Sequence, residues 1–192
     1  LQSYRWMRII SGNFKGKKIA IPKDKKTRPL RDLVKESIFN LIEHSNKFNS
    51  TIEKSKILDL FSGTGSFGLE CISRNAGKVT FVENYQEARD ILKKNILFLN
   101  VEKKCEVIKE SCFDFIDSKK NLDEKFNLIF MDPPYKEEKI NLIIDAIKEK
   151  RVLNDEGILI IHRHKNDNIK ISSKLTILDE RSYGISKIII AS

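Results

Sequence analysis

The sequence predicts an α/β fold: a mostly parallel seven-stranded sheet with a C-terminal antiparallel hairpin, preceded by a small N-terminal β-hairpin and helix. Three observations support this prediction. From Ile57 onward, short apolar runs alternate with helical stretches, which is the pattern of a parallel sheet covered by helices on both faces. The last two apolar runs have no helical pattern between them, only Ser182-Tyr183-Gly184 as a turn signal, which indicates an antiparallel hairpin. The chain has 192 residues, 40% of them hydrophobic, so one domain with a sizeable core is expected.

The strands and helices of the sheet region follow one another in order. The run at 126–131, F-N-L-I-F-M, is nearly all apolar, as expected for a strand buried on both faces. The helix at 85–99 carries apolar residues at three- and four-residue spacing, which gives it one face for the sheet. The predicted strands are 56–60, 78–83, 106–109, 126–131, 157–161, 175–180 and 187–191. The predicted helices are the segment from the glycine-rich turn to Arg74, 85–99, 113–117 and 138–149.

The N-terminal part has a different pattern. Residues 7–10 and 18–21 indicate a small hairpin around two glycines, and a basic linker at 22–29 leads into a helix at 31–44. Because Met-Arg-Ile-Ile at 7–10 looks like a natural start, residues 1–6 are expected to be an upstream extension without functional weight.

The net charge of +9 lies entirely in residues 1–35, which hold eleven basic and two acidic side chains, whereas the remainder is balanced. A localised basic segment indicates a polyanionic partner such as nucleic acid. We therefore divide the chain into a basic arm, residues 1–44, and a sheet domain, residues 45–192. The candidate partner contacts on the arm are Lys15, Lys17, Lys18, Lys26, Arg28 and Arg31.

Bulk features exclude several classes of protein. No stretch of about 18 apolar residues occurs, so no transmembrane helix is expected, and charges from Arg5 onward interrupt any signal core. The three cysteines, Cys71, Cys105 and Cys112, lack C-x-x-C spacing, which fits neither a disulfide framework nor a zinc site. We expect a cytoplasmic protein without a metal centre.

A glycine-rich turn follows the first strand of the sheet domain. Gly63, Gly65 and Gly68 match G-x-G-x-x-G between a strand and a helix, and Glu83 ends the next strand, where a carboxylate can bind the ribose hydroxyls of an adenosine. A tight turn and a solvated strand end are the simpler alternative. The adenosine belongs either to NAD or to S-adenosylmethionine. The charge of Asp59 opposes a pyrophosphate and suits a cationic methionine, which favours S-adenosylmethionine.

Asp132-Pro133-Pro134-Tyr135 directly follows the strand at 126–131, at the edge where open α/β sheets bind ligands. Adjacent prolines fix an extended backbone without N–H donors, so Asp132 and the Pro133 carbonyl can accept the two N–H groups of a planar amino group. Tyr135 can stack on the attached base. The pattern indicates methyl transfer to such an amino nitrogen, although turn chemistry alone also explains it.

With both motifs, the chain resembles the Rossmann-like class I S-adenosylmethionine-dependent methyltransferases. More narrowly, it is similar to the RsmD family, bacterial enzymes that methylate the exocyclic N2 of a guanine in 16S ribosomal RNA. The segments that carry the resemblance are M-R-I-I-S-G-x-x-K-G-K-K at 7–18, R-P-L-R-D-x-x-x-E-S-I-F-N at 28–40, D-L-F-S-G-T-G-S-F-G-L-E at 59–70, V-T-F-V-E at 79–83 and D-P-P-Y at 132–135.

This resemblance implies a role for each matching residue. The implied catalytic residues are Asp132, Pro133 and Tyr135. The implied contacts to S-adenosylmethionine are Asp59, Phe61, Gly63, Thr64, Gly65, Glu83, Asn84, Ser111, Cys112 and Asp132. The implied partner is 16S ribosomal RNA, free or within an assembled small subunit, with the chain acting as a monomer and residues 1–44 as its RNA-binding arm.

The chain departs from the family at two positions. Ser111 stands where relatives often carry Asp or Asn, and His162 stands where they often carry Glu. We predict that His162 and His164 are solvated strand-end residues and that Cys112 is a small filler without a basic partner.

The same motifs are also compatible with other functions. Adenine-N6 and protein-glutamine methyltransferases use a similar tetrad, and glutamine methylation needs no basic arm. A non-catalytic RNA-binding assembly factor would not need Asp59, Glu83 and Asp132 together. An NAD oxidoreductase would have no use for D-P-P-Y.

Overall fold

The computed structural model describes residues 5–22, 30–49, 51–118, 124–135, 137, 139–167 and 170–192. Within them the chain forms a two-stranded hairpin and one seven-stranded sheet covered by helices. The strands are β1 (Arg5–Arg8), β2 (Lys18–Ile21), β3 (Lys56–Leu60), β4 (Lys78–Val82), β5 (Cys105–Ile108), β6 (Phe126–Met131), β7 (Leu153–His164), β8 (Ile177–Tyr183) and β9 (Ser186–Ala191). The α-helices are α1 (Asp32–His44), α2 (Ser66–Ser73), α3 (Gln86–Leu99), α4 (Cys112–Ser118) and α5 (Ile140–Glu149).

The sheet has the order β5-β4-β3-β6-β7-β9-β8. The five strands from β5 to β7 are parallel, and β9 runs antiparallel to both β7 and β8. The predicted mostly parallel seven-stranded sheet with a C-terminal hairpin is therefore confirmed. The chain moves outward from β3 to β5 and then returns to the other side of β3 as β6. This reversal opens a crevice at the carboxyl ends of β3 and β6, where α/β proteins bind their ligands.

Helices cover both faces of the sheet because alternate strand residues point to opposite sides. Ile57 and Leu128 pack with α1, α2 and α3 on one face. Leu58 and Ile129 pack with α4 and α5 on the other. Strands β3, β4 and β6 are thus buried on both faces, which explains their nearly continuous apolar runs, whereas β5 at the edge of the sheet is only partly buried.

The N-terminal hairpin packs on the same core as α1, α2 and α3, through buried Ile9 and Ile19. Strand β1 starts at Arg5, two residues before the predicted strand, and Trp6 pairs with Ala20 of β2. Arg5 and Trp6, assigned no functional weight from the sequence, are therefore part of the hairpin.

Several boundaries near the C-terminus differ from the prediction, and β8 runs from Ile177 to Tyr183 rather than over 175–180. Strand β7 runs from Leu153 to His164 and is much longer than the predicted 157–161. Its first residue, Leu153, pairs with Phe126 of β6, and its last three residues pair with β9. The closing turn lies at residues 184–185 rather than 182–184. In the described part of the chain, no helix is long and apolar enough to cross a membrane.

Candidate active site

A cleft of about 840 Å³ lies at the carboxyl ends of β3, β4 and β6, at the point where the strand order reverses. Residues from the glycine-rich turn, the end of β4, the start of α4 and the D-P-P-Y segment all line it. Of the residues implied by the resemblance, those on its wall are Asp59, Phe61, Gly63, Thr64, Glu83, Asn84, Ser111, Cys112, Asp132, Pro133 and Tyr135. Two motifs that lie about 70 residues apart in the sequence therefore share one cavity.

The glycine-rich turn is shaped by close packing. Gly65 immediately precedes α2 with a φ of +85°, and a Cβ there would lie 2.4 Å from Leu92 Cδ1. Only glycine fits this conformation and this space. Gly65 forms the turn but does not itself line the cleft. The turn thereby directs the amino end of α2 to the cleft while keeping the backbone accessible.

Glu83 connects the end of β4 to the glycine-rich turn. Its carboxylate accepts the Gly63 N–H through Oε2 at 2.8 Å and the Tyr85 N–H through Oε1 at 2.8 Å. Burial raises the pKa of Glu83, and the hydrogen bond from Gly63 opposes this shift. The carboxylate that is predicted to bind ribose hydroxyls therefore also orders the loop beside it.

Asp59 provides a second, fully buried carboxylate, which accepts the Gly68 N–H at 3.0 Å. Burial raises the pKa of Asp59 well above its usual range, and the negative charges of Asp132 and Glu83 raise it further. Three carboxylates thus face one cavity and repel one another. A cationic ligand would relieve this repulsion, whereas a pyrophosphate would increase it.

The residues before and within α4 have structural partners. The Ser111 hydroxyl accepts the Asp114 N–H at 3.1 Å and contacts Asp114 Oδ2 at 2.7 Å, so Ser111 caps α4. The Cys112 sulfur accepts the Phe61 N–H at 3.2 Å, and burial raises the pKa of its thiol. A protonated, buried thiol is a poor nucleophile, in keeping with the predicted role as a filler.

The Asp132 carboxylate is held by a residue for which the sequence predicted no role. His162 Nδ1 lies 2.7 Å from Asp132 Oδ1, and His162 Nε2 lies 2.9 Å from the Ser186 hydroxyl. His162 is 7% exposed, so the prediction of a solvated strand end is wrong for this residue. His164 is half-buried with its ring edge-on to Tyr135, at 5.2 Å between centroids. The prediction for His162 was wrong because the last three residues of β7, all polar, pair with β9.

Arg163 is a second residue that sequence reasoning missed. Its buried guanidinium donates to the carbonyls of Pro134 at 3.2 Å, Tyr135 at 3.1 Å and Glu137 at 3.4 Å, and it pairs with Asp167. Arg163 therefore holds the main chain of the D-P-P-Y segment, and the Pro134 carbonyl already accepts a hydrogen bond from it. An arginine in a charged run usually indicates a solvated segment, so the sequence carried no signal for this contact.

The predicted nucleic-acid contacts fall into three groups. Arg31 is exposed and lines the cleft just before α1. Lys15, Lys17 and Lys18 are exposed on the N-terminal hairpin, outside the cleft. Lys26 and Arg28 lie outside the described residues. Asp32, the first residue of α1, accepts a hydrogen bond from Arg8 Nε at 2.9 Å.

Comparisons with known proteins agree with this architecture. A family model described as Conserved hypothetical protein 95 matches residues 7–192. Ribosomal RNA small subunit methyltransferase D of Haemophilus influenzae is 32% identical over 180 residues, 93% of this chain and 90% of the relative. YlbH of Bacillus subtilis is 30% identical over 185 residues, 96% of this chain and 97% of the relative. The solved structure of HI0767 from Haemophilus influenzae aligns with a TM-score of 0.77 at 30% identity, over 97% of this chain and 98% of that one.

Proposed function

The chain belongs to the family described as Conserved hypothetical protein 95, the RsmD family, and from this premise we propose that it methylates the exocyclic N2 of a guanine in 16S ribosomal RNA. S-adenosylmethionine is the methyl donor. One observation carries the proposal: the glycine-rich turn, Glu83 and the D-P-P-Y segment line a single cleft at the reversal point of the sheet.

The residues on the cleft wall fit S-adenosylmethionine. Asp59, Glu83 and Asp132 concentrate negative charge there, which suits a ligand that carries a sulfonium and an ammonium group. Asp59 and the glycine-rich turn would hold the methionine part, and Glu83 the ribose. Ser111 and Cys112 would flank the adenine, since both line the cleft at the start of α4.

The D-P-P-Y segment would hold the target base. When bound, S-adenosylmethionine supplies a methyl group that bonds to the amino nitrogen while the carbon–sulfur electron pair stays on sulfur. Asp132 accepts one amino N–H and then the proton that the methylated nitrogen releases. The Pro133 carbonyl accepts the other N–H, and Tyr135 stacks on the ring. An amino nitrogen conjugated with its ring is a weak nucleophile, so its alignment is the main catalytic demand.

The substrate is ribosomal RNA, and its backbone would be bound by the basic arm, residues 1–44. Support comes from the location of Lys15, Lys17 and Lys18 on an exposed hairpin and of Arg31 at the cleft. We propose that the chain acts as a monomer, because the glycine-rich turn, Glu83 and the D-P-P-Y segment already line one cleft within a single copy. Three free cysteines and a ribosomal substrate support the cytoplasm as its location.

Labelled methyl transfer tests the proposal. Small-subunit RNA from cells lacking this modification is offered both naked and as an assembled subunit, and digested nucleosides are then identified. We expect N2-methylguanosine, and the two forms of the substrate show whether assembly is required. Recovery of N6-methyladenosine, or labelling of protein glutamine, would reject the proposal.

A pair of matched variants tests the assigned role of Asp132. Asp132→Ala is expected to lower the rate of methyl transfer by about 10²–10⁴-fold, the usual contribution of a general base. Asp155→Ala, the same change at an exposed position on β7, should leave it unchanged. Full activity of the Asp132 variant would rule out the proposed mechanism.

A further inference from the structure

We propose that His162 is a positioning residue of the transferase site, which holds one oxygen of the Asp132 carboxylate so that the other can accept the amino proton of the target base. This inference rests on the proposed function. Its basis is a chain of hydrogen bonds that links Asp132, after the end of β6, to residues of β7 and β9.

Ser186, His162 and Asp132 form this chain of hydrogen bonds. Nδ1 of His162 lies 2.7 Å from Asp132 Oδ1, and Nε2 lies 2.9 Å from the Ser186 hydroxyl. An ionised carboxylate can only accept hydrogen bonds, so Nδ1 carries a proton and donates it. With Nδ1 as the donor to Asp132, Nε2 can accept the Ser186 O–H. Both ring nitrogens are engaged, which fixes the orientation of the imidazole.

Burial gives this arrangement its rigidity. The His162 and Asp132 side chains are 9% and 22% exposed, and Ser186 is buried in β9. Water therefore competes little for the hydrogen bonds, and the low local dielectric strengthens them. All three residues line the cleft, and the Asp132 side chain is more exposed there than that of His162.

Strand topology explains why His162 can reach Asp132. The last parallel pair between β6 and β7 joins Met131 to Ile161, and β6 ends there. Strand β7 continues to His164 because β9 pairs with it. His162 is thus the first residue of β7 beyond the end of β6, level with the start of the D-P-P-Y segment.

The next residue of β7 supports the same segment. Arg163 donates to the carbonyls of Pro134, Tyr135 and Glu137. Two consecutive residues therefore hold the Asp132 side chain and the main chain that follows it. With Oδ1 engaged by His162, Oδ2 is assigned to the substrate amino group. Loss of His162 would let the Asp132 carboxylate rotate away from the amino group. A misplacement of about 1 Å can slow a catalysed reaction by about 100-fold.

Three variants separate positioning from general structural damage. His162→Leu removes the donor to Asp132 and is expected to slow single-turnover methyl transfer by about 100-fold. His162→Asn places an amide N–H₂ close to the position of Nδ1 and should recover the rate to within about 5-fold of the wild type. Ser186→Ala loses only the outer hydrogen bond, and a loss of about 3- to 10-fold is expected. His44→Leu, at the exposed end of α1, is the control and should keep the wild-type rate.

Two further measurements do not depend on turnover. The affinity for S-adenosylmethionine, measured by calorimetry, should stay within about 2-fold in all four variants, since each keeps the glycine-rich turn, Glu83 and the negative charge of Asp132 in the cleft. In ¹⁵N-histidine spectra of the wild-type protein, His162 should show a protonated Nδ1, and Asp132→Ala should abolish this preference.

Several results would overturn the inference. They are a wild-type rate in His162→Leu, an Asn variant as slow as the Leu variant, a parallel loss of S-adenosylmethionine affinity, and a His162 ring protonated only at Nε2. If the wild-type chain itself fails to methylate small-subunit RNA, the proposed function is wrong. If the wild type is active and His162→Leu equals it, only this inference is wrong.

Discussion

Glu70→Gln should destabilise the protein strongly, because Glu70 is the centre of a buried charge cluster. Its fully buried carboxylate on α2 receives four donors. They are the N–H groups of Ile10 at 2.8 Å and Ser11 at 2.9 Å, Arg74 Nε at 3.2 Å and Lys35 Nζ at 3.4 Å. The cluster joins the N-terminal hairpin to α1 and α2, next to the glycine-rich turn.

The size of the effect follows from these contacts. Glutamine keeps one acceptor oxygen but presents an N–H₂ group to a donor, and an unsatisfied buried donor costs about 1–3 kcal/mol. Lys35 is also buried, and burial lowers its pKa while the charge of Glu70 raises it. Removing one partner of a buried ion pair costs about 3–5 kcal/mol. Because the two costs overlap, we expect a loss of about 3–5 kcal/mol from a total stability of about 5–15 kcal/mol.

Urea unfolding followed by circular dichroism measures this loss. Glu43→Gln is the matched control: Glu43 contacts Arg74 at 2.5 Å, but its side chain is 39% exposed. Screening by water limits such a pair to about 1 kcal/mol or less. If Glu70→Gln cost no more than Glu43→Gln, the claim that burial makes this carboxylate structurally essential would be refuted.

Three further predictions concern the cleft and the arm. Because burial raises the pKa of Asp59, its contribution to the stability of the ligand-free protein is lost as the pH rises above the ordinary value of 3.8. Asp59→Asn should therefore add about 1 kcal/mol to the free energy of unfolding at pH 8. The same change should abolish S-adenosylmethionine binding in calorimetry. A lower free energy of unfolding in this variant would contradict this account. Changing Lys15, Lys17 and Lys18 together to Gln should weaken RNA binding and reduce its log–log salt slope by about 2, with cofactor affinity unchanged. An unchanged slope would remove these lysines from the RNA interface, and a fall in cofactor affinity would make the arm a lid. Burial raises the pKa of the Cys112 thiol, so iodoacetamide at pH 7.5 should modify this cysteine only after the protein is unfolded. Peptide mass spectrometry measures the modification. If the native protein reacted at Cys112 as fast as a free thiol does, the claim that this thiol is buried would be wrong.

Much of the fold could be predicted because its signals are local. Strands β3 and β6 lie at their predicted positions, and the helix at 85–99 begins one residue later than predicted. Apolar runs and helical periodicity depend only on neighbouring residues, so they are visible in one sequence. The end of β7 was missed because its residues are polar and their burial depends on β9, a distant part of the chain.

The candidate site divides in the same way. The sequence by itself determined the motif residues, since glycines in a turn after a strand and a rigid D-P-P-Y segment have few other uses in that order. Only the tertiary structure decided which groups support them. The hydrogen bond between Asp132 and His162 and the contacts of Arg163 with the main chain join residues about 30 positions apart. A polar side chain appears solvated in a sequence until the strand that covers it is in place, because burial and hydrogen-bond partners are properties of the packed chain.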